Sequence, residues 1–428
     1  MSFNSWRVDS IENVTKRVKV GFVGTCGTSY CGEDTGIPMI RTTNLTDKGI
    51  DYADLKFVTK EFHEKNKKSQ LHRNDILVAR HGDNGKACLY NSDIEANCLN
   101  VVIIEPDAKK MLPRFLKYLF DSRVIKEQVT GAVVGSVQNV VNTKTIAKIQ
   151  VPVPQLPIQQ RITSILSSLD DKIENNRKTF DKLEEIAQAI FKRWFVEFEF
   201  PNEEGLPYKS NAGEMVYCDE LGKEIPKGWA FGNLNSIGSI VGGSTPSKSN
   251  DDYYLNGTIP WITPKDLSGF SGVFISIGEC SITKEGYDSC STQLLPKGSV
   301  LYSSRAPIGY IAINSREVCT NQGFKSIVPN KGYGTEFIYE LLKDVTPQII
   351  NAAGGSTFKE ISGSGMKAIP IVLPKKEVAK NYCQSMAGLF QSILNCEDEI
   401  KSLQQLRDTL LPKLMSGELA VDEVEDVI

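Results

Sequence analysis

Apolar side chains recur along two stretches of the chain with the spacing of a helical seam. The steps between them alternate between four and three residues, which is the pattern of a coiled coil. The first ladder is Ile162, Leu166, Leu169, Ile173, Asn176, Phe180, Leu183, Ala187, Ile190 and Trp194. Adding 220 to each position gives the second ladder, Tyr382, Met386, Leu389, Ile393, Cys396, Ile400, Leu403, Arg407, Leu410 and Leu414. The pattern predicts two long helices in a duplicated chain.

The stretch before each ladder has a different pattern, in which short apolar runs alternate with turn residues. Val, Ile and Tyr are enriched in the runs, and Gly, Asn, Asp and Pro separate them, which favours β-strands. The clearest runs are Ile76–Ala79, Val101–Ile104, Val300–Tyr302 and Lys325–Val328, and helices are predicted at Pro113–Asp121 and Thr335–Lys343. Each stretch is therefore predicted to be an α+β domain, here called a head, with a curved sheet.

The heads repeat as the ladders do. Ile149–Pro154 aligns with Ile369–Pro374 at the offset of 220, and Ile37–Ile40 aligns with Ile259–Ile262 at an offset of 222. The alignment predicts a first head at 1–154, a first rod at 155–196, a linker at 197–228, a second head at 229–374, a second rod at 375–417 and an acidic, frayed tail at 418–428.

The order of these segments predicts how the two rods pair. The first rod leads from the first head to the second, and under pseudo-twofold symmetry the second rod runs back. Their seams are therefore predicted to pack as an antiparallel coiled coil, about 50 Å long at about 1.5 Å per residue. Asn176 and Cys396 occupy equivalent seam positions. A polar seam residue often fixes the register at a cost in stability; a tolerated packing defect is the alternative.

Charge is unevenly distributed, although the formal net charge is only -3. Residues 1–154 carry 22 basic and 17 acidic side chains, and residues 229–374 carry 11 of each. Residues 155–228 carry 10 basic and 14 acidic side chains, and residues 375–428 carry 6 and 10. Neutral-to-basic heads and acidic rods are compatible with polyanion binding by the heads and protein contacts by the rods. A solvated acidic helix face is the alternative for the rods.

No motif predicts catalysis, a bound cofactor or a metal. The ten cysteines include no CxxC pair, and the three histidines do not give the spacing of a zinc site. Gly363–Ala368 matches GxGxxA, but it precedes a predicted strand, which reverses the context that nucleotide binding requires. Free thiols, no signal peptide and no run of roughly 18 apolar residues predict a cytoplasmic protein without a membrane segment.

Polar loop residues of the kind that read DNA bases cluster at corresponding points of both heads. Arg reads guanine, Asn and Gln read adenine, and Lys, Ser and Thr hold phosphates. The candidates are Arg41, Thr42, Thr43, Asn44, Arg80, His81, Asn84, Lys86, Ser136, Gln138 and Asn139 in the first head, and Thr263, Lys265, Asp266, Ser303, Arg305, Asn321, Gln322, Ser356, Thr357 and Lys359 in the second. Ordinary polar loops are the alternative. Similar scaffolds with unlike loops suit a protein that reads two unlike half-sites.

A resemblance to a known family is carried by the segment between the first rod and the second head. Phe191–Pro201 (FKRWFVEFEFP) and Glu224–Trp229 (EIPKGW) resemble the central region of the specificity subunits of type I restriction–modification systems. Gly242–Pro246 and Leu411–Gly417 are similar to that family too, as is a Gly-Ser motif that is repeated at Gly135-Ser136 and Gly355-Ser356. The residue after this motif is commonly Thr in the family. The second head keeps it as Thr357, whereas the first head departs from the family with Val137.

The resemblance implies a noncatalytic subunit that binds double-stranded DNA. Each head would be a target recognition domain for one half of a split, asymmetric sequence. The rods would hold the heads apart and dock two adenine methyltransferase subunits, which bring S-adenosylmethionine. Motor-nuclease subunits would then join to complete the restriction enzyme. Half-sites about one helical turn apart, roughly 34 Å, fit rods of about 50 Å.

Two other classes of function remain open from the sequence. A self-contained DNA-modifying enzyme is disfavoured because no catalytic motif is present, and DNA cleavage or methylation by the purified chain alone would revive it. A coiled-coil scaffold whose heads bind proteins would be favoured by an absence of salt-dependent DNA binding.

Overall fold

The computed structural model describes residues 6–47, 49–81, 85–134, 141–355 and 359–425. The chain divides into two compact units. The first unit holds the residues up to 173 together with those from 402 onward, and the second holds residues 174–401. Each unit contains one head and a part of each long helix, because the two longest helices, Leu156–Phe191 and Lys376–Ser416, both cross the division. We call these the first and the second long helix.

The remaining α-helices are shorter than these two and belong to the heads or the tail. They are Ile11–Val14, Lys60–Lys65, Pro113–Asp121, Arg123–Val134, Thr143–Lys148, Lys284–Asp288, Thr335–Ala352, Gly363–Ala368 and Val421–Glu425. The helices predicted at Pro113–Asp121 and from Thr335 onward are confirmed. Pro113 opens its helix at the first turn, where a missing N–H costs nothing. The second head's helix runs on to Ala352, past Lys343, where the prediction ends it.

The first unit contains two four-stranded sheets. One is antiparallel and joins, in spatial order, Thr15–Val20, Val101–Pro106, Ile76–Ala79 and Ala87–Leu89. The other joins Asn97–Leu99, Ile37–Arg41, Lys56–Val58 and Tyr30–Cys31, and its first two strands are parallel. Two strand pairs complete the unit, Arg7–Ser10 with Gln150–Val153 and Leu45–Thr46 with Gly49–Ile50. The first of these pairs closes the head by joining its two ends.

The second unit repeats this plan. A five-stranded sheet joins Ser239–Gly242, Lys325–Val328, Val300–Ser304, Ile308–Asn314 and Phe274–Ile275. A three-stranded sheet joins Cys280–Ile282, Ile259–Ile262 and Cys319–Thr320, and its last two strands are parallel. Ala230–Asn233 pairs with Pro370–Leu373, as Arg7–Ser10 pairs with Gln150–Val153 in the first head. The fold is therefore two tandem domains of mixed helix and sheet.

Strands form where the sequence places Val, Ile and Tyr on a buried surface. Ile76–Ala79 is buried at all four positions and Val300–Ser304 at all five, so each is a central strand covered on both faces. The strand predicted at Ile76–Ala79 is confirmed at both ends, as is the one at Lys325–Val328.

The ladder residues lie on the inner side of both long helices. Every ladder position is buried or half-buried, and Ile162, Leu166, Ile393 and Leu414 are 0–1% exposed. In the first unit, Ile162 and Leu166 share a hydrophobic cluster with Leu411 and Leu414. In the second unit, Phe180, Ala187, Tyr382, Met386 and Ile393 share another. Each unit therefore has its own core, to which its head and both of its helical segments contribute.

The segment predicted as a linker, 197–228, contains a hairpin of Met215–Cys218 and Lys223–Pro226. Phe198 and Phe200 are buried and Tyr208 is half-buried, whereas Tyr217 in the hairpin is 65% exposed. The rings of Phe200 and Trp229 stack at 5.0 Å between centroids, and those of Phe200 and Tyr208 at 4.6 Å. The segment is therefore packed into the core of the second unit.

The tail differs from the frayed segment expected from the sequence. Val421–Glu425 forms a helix, and Val421 is buried in the core of the first unit. The carboxylate of Asp422 accepts a hydrogen bond from the Arg161 guanidinium at 2.5 Å. The acidic composition alone gave no sign of this contact, because Asp422 and Arg161 are brought together only by the fold.

Candidate nucleic-acid interface

In the second head, loops that follow three different strands meet at Gly323. The backbone N–H of Ser304 donates to the Gly323 carbonyl at 2.7 Å. A Cβ at Gly323 would lie 2.8 Å from the ring of Pro264 and 3.0 Å from the side-chain oxygen of Asn321, so only glycine fits there. The candidate residues from 263, 303 and 321 onward are therefore brought together, although they are far apart in the sequence.

Asp266 holds one of these loops in shape. Its carboxylate accepts hydrogen bonds from the backbone N–H and the hydroxyl of Thr263, both at 2.7 Å. It also accepts the backbone N–H of Glu279 at 2.7 Å. Because both of its carboxylate oxygens accept hydrogen bonds from the protein, Asp266 supports the loop. The exposed Lys265 beside it forms a 2.7 Å ion pair with Glu279.

Ser303 and Asn321 are also used inside the protein. Ser303 is 0% exposed; its hydroxyl donates to the Pro307 carbonyl and accepts the Tyr310 N–H, both at 2.8 Å. The side-chain oxygen of Asn321, a half-buried residue, accepts the Gly323 N–H at 2.9 Å. Ser303 therefore stabilises the turn that presents Arg305 and does not reach the surface.

Besides Lys265, the accessible candidates of the second head are Gln322, Lys359 and, in part, Arg305. Gln322 is exposed and accepts a hydrogen bond from the Thr245 hydroxyl. Lys359 is exposed. Arg305 follows the strand Val300–Ser304, and its guanidinium lies 3.6 Å from the Glu360 carboxylate.

In the first head, the loop after the strand Ile37–Arg41 is built around Asn44. Asn44 is 2% exposed, and its amide donates to the carbonyls of Asp51 and Asp54 and accepts the Arg41 N–H. The Arg41 guanidinium donates to the carboxylate of Asp54 at 3.0 Å. The Thr42 hydroxyl donates to the Asn100 carbonyl at 3.1 Å. Asn44 therefore holds the loop together, and the exposed Thr43 is its outward-facing member.

A second group of first-head candidates lies near Val141. Arg80 is half-buried, and its Nε donates to the Val141 carbonyl at 3.3 Å. His81, the next residue, is exposed. Lys86 forms a 3.2 Å ion pair with Asp47. The candidates Asn84, Ser136, Gln138, Asn139, Ser356 and Thr357 lie outside the described residues.

A close backbone approach recurs in both heads. A Cβ at Gly21 would lie 2.3 Å from the Cys98 sulfur and 2.7 Å from its carbonyl oxygen. A Cβ at Gly243 would lie 2.1 Å from the carbonyl oxygen of Thr320. Both glycines let a strand edge cross the parallel pair of the neighbouring sheet, which gives them a structural role.

Four candidate cations are each paired with a carboxylate that is itself largely exposed. The carboxylates are those of Asp54, Asp47, Glu279 and Glu360, whose side chains are 77%, 89%, 66% and 44% exposed. The pair between Lys265 and Glu279 is exposed on both sides. Such a pair is worth about 0–1 kcal/mol, so Lys265 can exchange its carboxylate for a phosphate at little cost. The side chains of Arg41 and Lys86 are only 23% and 18% exposed, so these two cations are held closer to the protein.

Sequence reasoning missed Lys325 and Glu360. Lys325 is half-buried at the start of a strand, and its ammonium donates to the Phe324 carbonyl at 3.3 Å. Burial lowers the pKa of Lys325, opposed by the nearby Glu360 and reinforced by Arg305. The only sequence signal for Glu360 is its position shortly after the repeated Gly-Ser motif.

Three general features of the described residues bear on chemistry. They include no group of three or more His, Cys, Asp or Glu side chains placed to hold a metal ion. No described helix has the length and apolar character to cross a membrane. The ten cysteines are all free.

Comparison with known proteins gives the class. The profile of the type I restriction modification DNA specificity domain matches this chain twice, at residues 31–186 and 226–403. The two matches span more than half of the chain, and the chain therefore belongs to this family. The family match confirms the resemblance found in the sequence and the prediction of a specificity subunit that is not itself an enzyme.

Individual relatives agree with this class along most of their length. The type I restriction enzyme MjaIX specificity subunit of Methanocaldococcus jannaschii is 29% identical over 391 residues, covering 89% of this chain and 83% of that protein. The type I restriction enzyme HindI specificity subunit of Haemophilus influenzae is 28% identical over 407 residues, covering 82% and 88%. The crystal structure of a type I restriction-modification S subunit from M. genitalium shares the fold, with a TM-score of 0.61, 16% identity and 96% of each chain covered.

Proposed function

We propose that this chain is the DNA-reading subunit of a type I restriction–modification complex, and that each head reads one half of a bipartite, asymmetric target. The observation that supports this is a shared scaffold with unlike loops. In the first head the Val141 N–H donates to the Arg80 carbonyl at 3.2 Å. In the second head the Ile361 N–H donates to the Ser304 carbonyl at 3.0 Å. The same bond is kept at both places while the side chains around it differ.

The two long helices are proposed to form an antiparallel coiled coil. Arg407 pairs with Asp170 at 3.0 Å in the first unit. In the second unit the Asn176 amide donates to Glu399 at 2.7 Å, and the Tyr382 hydroxyl donates to the Ala187 carbonyl at 3.5 Å. Residue numbers rise along one helix as they fall along the other, which is the order of an antiparallel pair. The Asn176 bond supports a role for that residue in fixing the register.

We propose that the rods dock two methyltransferase subunits, one on each repeat. Two large apolar residues stand exposed on the long helices, Ile186 at 47% and Leu406 at 40%. They are equivalent at the offset of 220. Each lies at the edge of the seam, where the inward-facing ladder residues three before and four after it are only half-buried: Leu183 and Ile190, and Leu403 and Leu410. This apolar edge, which we call the exposed apolar stripe, is present once per repeat and suits two copies of one partner.

The chemistry of the complex would then come from the partners. The methyltransferase subunits would bring S-adenosylmethionine, and motor-nuclease subunits would add cleavage, so this chain would bind no cofactor. The cytoplasmic location expected from the sequence follows from this role and stays a prediction.

The function is tested with the complex of this chain and its proposed methyltransferase partner. Sequencing of methylated adenines in DNA treated with the complex is expected to give one split motif with an unread spacer. Calorimetric titration of the chain alone with S-adenosylmethionine is expected to show no binding. DNA binding of the complex should weaken steeply with salt, because phosphate contacts release counterions. Methylation without sequence preference, or saturable cofactor binding by the chain alone, would contradict the proposal.

A further inference from the structure

The outermost residues of the equivalent strands differ between the heads. The shared hydrogen bonds make Arg80 the counterpart of Ser304 and Val141 the counterpart of Ile361. One residue further out, the second head has Arg305 facing Glu360 across an isolated β-bridge. The corresponding positions of the first head are His81 and Val140 in the sequence, of which Val140 lies outside the described residues. That residue pair cannot form the ion pair, so the ion pair belongs to the part of the head that diverged.

Two backbone hydrogen bonds hold the Glu360 side of the Arg305–Glu360 pair in place. The Glu360 N–H donates to the Gly354 carbonyl at 3.0 Å, and the Gly354 N–H donates to the Glu360 carbonyl at 3.2 Å. The two side chains are 37% and 44% exposed, and their charged atoms are 3.6 Å apart. The pair is therefore fixed at its base and open to a ligand at its tip.

A carboxylate at a surface that binds a polyanion weakens binding unless it has another role, because it repels phosphate. Glu360 has no other ion-pair partner among the described residues than Arg305. Arginine recognises guanine through two parallel hydrogen bonds, and this geometry demands that the planar guanidinium be held in one orientation. A carboxylate against one edge of the fork leaves the other edge for the base.

We propose that Glu360 is a positioning residue of the second head, which orients Arg305 toward one base of that head's half-site and so sets its preference there. The proposal rests on the proposed function. Lys325 supplies a second cation beside the pair. Burial lowers the pKa of Lys325 and favours a fixed position of its ammonium group over a mobile one at the surface. In the first head the equivalent position would have a different preference, because His81 replaces Arg305.

The experiment uses the assembled complex with Arg305→Ala, Glu360→Gln or both substitutions, and duplexes in which each base of the mapped target is changed in turn. Discrimination is the ratio of the methylation rates for the correct base and a changed base. It is expected to fall at the same single base position in all three variants. The loss of discrimination should be about 5- to 100-fold for Arg305→Ala. It should be up to about fivefold for Glu360→Gln, and the double variant should equal Arg305→Ala alone. Glu360→Asp, which keeps the charge but shortens the side chain, should fall between Glu360→Gln and the unmodified complex.

The control is Asp288→Asn, which removes the same charge from an exposed pair with Lys284 in the same head. It is expected to leave the preference at every base unchanged. Uniformly tighter binding of all duplexes by Glu360→Gln would overturn the proposal, because it would show only the loss of a repulsive charge. Relaxation at a position different from that of Arg305→Ala would overturn it too. An unmodified complex that does not discriminate among the duplexes would instead refute the proposed function.

Discussion

At the scale of single residues, Glu340 is a carboxyl group of the second unit whose burial is not compensated by hydrogen bonds. Its side chain is 1% exposed, and neither carboxylate oxygen has a hydrogen-bond partner among the described residues. Burial raises the pKa of the Glu340 carboxyl to about 7, and Lys343, 3.8 Å away, opposes this only partly. Burial also raises the pKa of Glu397 to about 7, against the hydrogen bonds that it accepts from Val273 and Phe274.

A raised pKa makes the stability of this unit depend on pH. The folded protein binds the Glu340 proton more tightly than the unfolded chain, so its contribution to the free energy of unfolding falls as pH rises from about 4.5 to about 7. Glu340→Gln removes the ionisation. We expect it to raise the free energy of unfolding at pH 8 by at most roughly 3 kcal/mol, with little change at pH 5.

Thermal unfolding of the complete chain at both pH values checks this expectation. The matched control is Glu285→Gln at an exposed position of the same head, which should change neither melting temperature. Equal effects of Glu340→Gln at pH 5 and pH 8 would show that folding does not raise the pKa of Glu340.

At the scale of elements, the aromatic segment after the first long helix is explained by packing. Lys192–Val196 forms a π-helical turn, which widens the helix and changes which side chains face inward. Phe195 then contacts Phe337 at 4.8 Å and Tyr382 at 5.1 Å between ring centroids. The segment thereby joins the first long helix, the second long helix and the head within one unit. The motif that carries the family resemblance is therefore a structural joint.

The exposed apolar stripe of each long helix gives a prediction about partner binding. Ile186→Ser and Leu406→Ser each remove one exposed apolar side chain, which is worth about 1.5–3 kcal/mol when it becomes buried. We expect each single variant to lose one of two bound methyltransferase subunits and the double variant to lose both. The mass of the complex measured by light scattering checks this.

The control for the stripe is Gln188→Ser, a change at an exposed polar position of the first long helix, which should leave the mass unchanged. Full occupancy by two methyltransferase subunits in the double variant would show that the stripe is not the docking surface. The thermal stability of all variants should match that of the unmodified chain, because none of the altered side chains is buried.

At the scale of the whole molecule, the proposed coiled coil would act as a ruler between the half-sites. Removing one heptad from each long helix at facing positions, residues 171–177 and 398–404, keeps the seams matched, because seven residues are one repeat of the ladder. Each helix is shortened by about 10 Å. We therefore expect the unread spacer of the methylated motif to shorten by about three base pairs, at about 3.4 Å each.

Mapping methylated adenines with the shortened complex measures the spacer. A deletion of residues 171–177 alone is the control, since it leaves the two seams unequal and should abolish methylation. An active shortened complex with an unchanged spacer would rule out the ruler.

The sequence by itself determined the elements, the duplication and the family. Helix and strand periodicity is a local property of the backbone, so the two ladders predicted the long helices and alternating apolar runs predicted strands such as Ile76–Ala79. The offset of 220 predicted equivalent heads, which the repeated strand pairing at each head's ends confirms. The positions of the candidate loops follow from the same repeat, because polar runs at strand ends fall at corresponding places.

Only the tertiary structure decided which polar side chains of those loops are available to contact a ligand. Asn44 and Ser303 have the composition of base-reading residues, yet both are buried and hydrogen-bonded within their own loops. Glu360 has no distinguishing pattern, yet it faces Arg305. The physical reason is that burial and pairing depend on distances between segments far apart in the chain. Periodicity records which face of an element is covered, but it does not record what covers it.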